Sequence, residues 1–141
     1  MPSQTSTPSL RAKGVVGCNV SFTPLPFTSH QVNLLDTGDQ YLIFATSESS
    51  DRAVLIYVKK DIVPGSYSMG APDGDEDVGA YIFHTYPDGQ YNHYAKSGTF
   101  ILNSVDFAKT QIDATFEFEA TGRPDGSTVN VTNGIVRLTS P

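Results

Sequence analysis

The stretch Ile112–Ala120 constrains this chain more than any other. Ile112, Ala114, Phe116, Phe118 and Ala120 alternate with Asp113, Thr115, Glu117 and Glu119. Successive side chains of a strand point to opposite faces, so one set enters a core and the other meets water. A helix would scatter the same pattern around its circumference. The stretch therefore predicts a strand of an antiparallel sheet with one solvated face.

The rest of the chain reads in the same way. Leu10–Val16 and Asn19–Phe22 are strand-like and interrupted by Gly14 and Gly17, and Thr23–Pro26 is an extended connector, because two prolines remove two backbone donors. Val32–Leu35 is a short strand followed by a turn at Asp36–Asp39. Tyr41–Thr46 and Ala53–Val58 are nearly continuous apolar runs, which places them centrally, with the polar loop Ser47–Asp51 between them. Pro64-Gly65 marks a turn ahead of Tyr67, and Ala71–Asp77 is an acidic loop. Gly79–Tyr86 and Gln90–Lys96 flank Pro87-Asp88-Gly89, which predicts a three-residue hairpin loop. That register pairs Tyr86 with Gln90, Phe83 with His93 and His84 with Asn92. Thr99–Val105, Thr128–Thr132 and Ile135–Leu138 complete the strands, with Asn133-Gly134 as either a tight turn or a bulge. No window shows helical periodicity, and no fixed repeat occurs.

About nine or ten strands with frequent turns predict an all-β fold. Uneven strand lengths favour an antiparallel two-sheet β-sandwich; a closed antiparallel barrel is the alternative. The 141 residues suit one domain, 10–141, preceded by a polar Pro/Ser/Thr-rich tail, 1–9. A domain of this size buries roughly two thirds of its unfolded surface and needs no metal or disulfide to form a core. Cys18 is the only cysteine, so no intramolecular disulfide forms; this suits the cytosol and a disulfide-free exported protein equally.

Net charge of −6 repels phosphate backbones, and the lysines and arginines are scattered apart from Lys59-Lys60. Neither a nucleic-acid partner nor a polybasic membrane face is expected. No run approaches the ~18 apolar residues of a transmembrane helix.

The last third carries a resemblance. Ser97-Gly98-Thr99-Phe100-Ile101-Leu102, then Asp106, then Ile112–Phe118, and finally Val131-Thr132-Asn133-Gly134 resemble small β-sandwich domains of unknown function in exported bacterial lipoproteins. Ala114 stands where those domains usually carry Gly. The resemblance implies a sandwich, an extracytoplasmic setting (periplasm or cell surface) and a closing strand that continues past Asn133-Gly134 through a bulge. It implies no catalytic residues.

Three candidate sites emerge. Asp73, Asp75 and Asp77 alternate on the acidic loop with Glu76 among them, a pattern that can converge on Ca²⁺ and competes with a solvated turn. An EF-hand would want Gly at position 78 and Glu at 84, where Val78 and His84 stand. His84 and His93 could share a zinc ion or a proton if they faced one another, but the three-residue loop sends them to opposite faces. With Asp75 and Asp77 they define a hydrolase reading. Tyr81, Phe83, Tyr86, Tyr91 and Tyr94 crowd the same hairpin. The expected register groups Tyr81, Phe83 and Tyr91 on one face and Tyr86 with Tyr94 on the other, leaving that last pair as a platform for a protein or carbohydrate partner. No nucleophile elbow or phosphate-binding glycine loop occurs. The expectation is a non-catalytic, exported binding or structural accessory protein; the alternatives are a small-ligand carrier with an internal barrel cavity and the hydrolase.

Overall fold

A computed structural model describes residues 9–21, 27–47, 51–86, 89–123 and 126–139, without the side chains of 9–12, 86, 90 and 123. The expected tail, the Thr23–Pro26 connector and the Pro87-Asp88 turn therefore lie outside the described residues, apart from Ser9. Ten strands follow one another: β1 Ser9–Val20, β2 Phe27–Ser29, β3 Gln31–Asp36, β4 Gln40–Thr46, β5 Arg52–Lys59, β6 Gly65–Gly70, β7 Val78–Tyr86, β8 Gly89–Asp106, β9 Gln111–Arg123 and β10 Thr128–Thr139. A 3₁₀ turn, Phe107–Lys109, joins β8 to β9, with the Asp106 carboxylate accepting from the Lys109 N–H at 3.2 Å.

The strands form one sheet in the order β10-β9-β8-β6-β7-β5-β4-β3-β1-β2, antiparallel throughout except for the short β6–β7 contact. β1 also pairs with β10 over Lys13–Val20, and β7 pairs directly with β8. The sheet thus curls round nearly into a closed barrel. The all-β antiparallel class stands, and of the two forms weighed the curled sheet is nearer the barrel. Long, bulged strands make this possible. β8 changes register at Ala95/Ser97 and at Leu102/Ser104, β10 at Val131/Gly134 and β1 at Gly17/Asn19. Each bulge bends its strand and sharpens the local twist. What reads in sequence as two strands on either side of Ser97-Gly98 is one bent strand of 18 residues. Asn133, at φ 53°, occupies the β10 bulge, so the chain continues there instead of turning back.

The interior follows from alternation. Ile112, Ala114, Phe116, Phe118 and Ala120 of β9 are all buried, with Thr115 and Glu117 exposed on the other face. They meet Phe27, Ile43, Ile56, Met69, Ile82, Phe100 and Val136 in one continuous core. Filling by aliphatic and aromatic side chains makes this a packed interior.

The β7–β8 hairpin departs from its expected register. Tyr86 pairs with Gly89, His84 with Tyr91, Phe83 with Asn92, Ile82 with His93 and Tyr81 with Tyr94. A one-residue slip moves every side chain of a strand to the opposite face relative to its neighbour. The long pairing of β8 with β9 decides it: Ala95 opposes Ala120 and His93 opposes Gly122, and Ala95 and Ala120 are both buried. Local turn chemistry yields to that pairing.

Candidate functional site

β5, β7 and β8 lie side by side, and their inward and outward residues build two different surfaces. Inward, Arg52 of β5 opposes His84 of β7, which opposes Tyr91 of β8, with His93 two residues along. The corrected register thus brings His84 and His93 onto the same face, at 4% and 5% exposure. The His93 Nε2 lies 3.0 Å from Ser127 Oγ. The Arg52 guanidinium sits 5.6 Å from the Phe27 ring centroid, a cation–π contact. Ser29 and Ser47 are buried nearby on the strands and loop that frame the same end. Ser47 Oγ donates to the Asp51 carboxylate at 2.9 Å and accepts from the Arg52 N–H at 3.1 Å. Only a void of about 10 Å³ lies among Phe27, Arg52 and His84, room for about one water.

Burial pushes His84 down to about 4, with Arg52 and His93 adding to the fall and Asp51 opposing it. His84 is therefore neutral at pH 7. The sign of the resulting pH dependence follows. Unfolded chains bind the His84 proton near the ordinary imidazole value of 6.5, whereas the folded protein resists it until about 4. Stability is then level above about pH 7 and falls as pH drops through the interval between those values. We expect urea midpoints to report a loss of about 2 kcal/mol between pH 7 and pH 5. His84→Gln should abolish most of that slope; an unchanged slope in the variant would refute the assignment.

Outward, the same strands carry a second apolar cluster. Leu42, Ala53 and Leu55 are buried there, packed against half-buried Leu35, Phe44, Tyr57, Tyr81 and Phe83. The Tyr94 ring lies against Tyr81, centroids 5.1 Å apart and tilted by 31°. This explains why Tyr41–Thr46 and Ala53–Val58 are apolar at almost every position: one set faces the core and the other builds the outer cluster. The Tyr57 phenol is raised above its ordinary range by partial burial and by Tyr94; Tyr81 is raised by burial and by both other tyrosines.

The predicted residues are thus regrouped. Tyr94 joins Tyr81 and Phe83 instead of opposing them, and Tyr91 leaves them for the inward side opposite His84. Tyr86 ends β7, its side chain outside the described residues. Asp73, Asp75 and Asp77 are exposed, and Asp77 pairs with Lys59 at 3.4 Å. Asp77 precedes β7 and His84 lies near its far end, about 23 Å away along the strand. The carboxylates and histidines of the hydrolase reading therefore stand at opposite ends of one strand. Among the described residues, no three His, Cys, Asp or Glu side chains gather as a metal ion requires. Calcium at the acidic loop remains directly measurable: a site there raises the melting temperature at millimolar Ca²⁺ and loses the gain with chelator, and no shift rejects it.

The outer cluster escaped sequence reading because its members come from five strands. The available signal was the unbroken apolar character of β4 and β5. Comparison with family models, characterised proteins and solved structures finds no match. Among the described residues, no helix is long and apolar enough to cross a membrane.

Proposed function

We propose that this protein is a non-catalytic binding or structural accessory barrel that engages its partner through the outer face of β4, β5, β7 and β8. One observation carries the reading. A barrel already buries one face of its sheet inside, yet here the opposite face carries a second cluster built on Leu42, Ala53 and Leu55. Half-buried Leu35, Phe44, Tyr57, Tyr81 and Phe83 cover those three, and their side chains form the outer surface that a partner would meet. The filled interior weighs against the carrier reading, and the separation of Asp75 and Asp77 from the two histidines weighs against the hydrolase. An exported setting, which the resemblance of the last strands supports, belongs to the same proposal; cell fractionation tests it.

The proposal predicts a labelling pattern. Cys18 is buried, and its thiol is pushed up to about 12 by that burial, so it stays silent toward maleimide near neutral pH. Cysteines introduced at Phe83 on the outer cluster and at Ile101, exposed on β8, can then be compared. In the native cellular setting position 83 should label at least several-fold more slowly than in purified protein, with position 101 unchanged. Equal rates at position 83 in both settings would exclude an occupied outer face.

A further inference from the structure

We infer that the row Tyr57–Tyr81–Tyr94 is a binding site for an uncharged carbohydrate chain; the inference rests on the outer face being the binding face. The row crosses three neighbouring strands, with Tyr57 on β5, Tyr81 on β7 and Tyr94 on β8. Tyr81 opposes Tyr94 directly and opposes Leu55 on its other side, two residues from Tyr57. Adjacent strands lie about 4.8 Å apart and Tyr57 is offset by two residues along β5, so Tyr57 and Tyr94 stand about 12 Å from one another across the row. Neither the β5–β7 nor the β7–β8 pairing changes register along this stretch, unlike the bulged pairings of β8 with β9 and of β9 with β10. The platform is accordingly regular, like the β3–β4 and β4–β5 pairings beside it, where the β8–β9 and β9–β10 pairings are bent.

The chemistry of the row differs from that of its surroundings. Toward β3 and β4 the outer cluster is hydrocarbon: Leu35, Leu42, Phe44 and Leu55. Toward β8 each large ring of the row ends in a hydroxyl. A sugar ring has an apolar C–H face and a rim of hydroxyl groups. A phenol matches both, since its ring takes the C–H face and its hydroxyl donates to or accepts from the rim. Partial burial and mutual proximity hold Tyr57 and Tyr81 above the usual phenol range, so they remain neutral donors.

Charge points to an uncharged occupant. Among the described side chains, the cations flanking the row are Lys59, two residues beyond Tyr57, and Lys96, two beyond Tyr94. Each already has a carboxylate, Asp77 at 3.4 Å and Glu119 at 3.6 Å. Among the described side chains, neither an acidic nor a basic ligand group meets an uncompensated partner on the row.

Affinity electrophoresis through gels containing soluble polysaccharides tests this. The panel comprises a β-1,4-glucan, a β-1,3-glucan, a xylan, a mannan and an α-glucan, with polygalacturonate as the charged control. At least one neutral polymer should retard the wild-type protein. Tyr81→Ala and Tyr94→Ala should weaken that retardation by about tenfold or more, and Tyr57→Phe by a smaller factor through the lost hydroxyl. Ile101→Ala, on the β8–β10 face, should behave as wild type. Melting curves identify any variant that fails to fold, and Tyr57→Phe, which keeps the ring, serves if the alanine variants do. Retardation by no neutral polymer, by polygalacturonate alone, or to an undiminished degree in the folded tyrosine variants overturns the carbohydrate site. If the wild type binds no polymer but elutes as a dimer that Phe83→Asp splits, the outer face binds a second copy: the carbohydrate inference falls and the binding-face reading survives.

Discussion

Phe116→Ala is expected to destabilise the barrel by about 3–5 kcal/mol. Phe116 is 3% exposed in the middle of β9, stacked on Phe118 with centroids 6.1 Å apart. Its ring also lies across Gly134 of β10, where an added Cβ would come within 2.5 Å of it. Truncation removes the transfer energy of a large aromatic side chain and leaves a void. Bulged, hydrogen-bonded strands on both sides of β9 limit how far that void can collapse. Glu117, next in sequence and exposed, provides the control: Glu117→Ala should cost under about 0.5 kcal/mol. Urea unfolding of the pair checks both, and equal midpoints for wild type and Phe116→Ala would contradict the assigned facing of β9.

Gly98→Ala should cost on the order of 3 kcal/mol, a large effect for a single methyl group. Gly98 opposes Phe118 across the β8–β9 pair, just after the register change at Ala95/Ser97. A Cβ there would lie 2.3 Å from the Glu117 carbonyl oxygen and 2.7 Å from the Phe118 Cα. Both obstacles are backbone atoms held in the sheet, so relief requires the two strands to separate beside the register change. Gly134→Ala is the milder comparison, because its nearest obstacle is the buried Phe116 ring, which tilts at a packing cost but without breaking sheet hydrogen bonds. Thermal melts should rank wild type above Gly134→Ala and that variant above Gly98→Ala. A Gly98→Ala protein as stable as wild type would mean that β8 and β9 do not approach as closely as described.

Glycine at position 98 therefore has a geometric reason that composition could not supply. The sequence suggests a strand break at Ser97-Gly98, since glycine is poor in strand interiors. The chain instead continues, and the missing side chain lets the neighbouring strand close in. Asn133-Gly134 is a similar case: its two sequence readings, turn or bulge, differ only in where the next strand pairs, and Gly134 opposite Phe116 settles it as a bulge.

The candidate site was legible in part. The aromatic crowding of 81–94 and the pair of histidines are visible to any reader of the residues. Which of them share a face was not, because a hairpin loop of two residues and one of three lead to opposite assignments. Pairing with β9, more than twenty residues further along the chain, placed His84 and His93 together inside and Tyr81 with Tyr94 outside. Tyr57 entered the group only through β5 lying beside β7, a neighbour relation no local pattern encodes.

Taken alone, then, the sequence determined what short-range physics controls. The period-two alternation of Ile112–Ala120 determined a one-side-buried strand, turn residues set the density of short strands, and a lone cysteine excluded internal disulfides. Tertiary structure decided the rest: the curling of one sheet toward a barrel, the register of β7 against β8, and the apolar outer face. Each of these depends on contacts between residues distant in sequence, where pairing over a dozen positions outweighs the preference of any single turn.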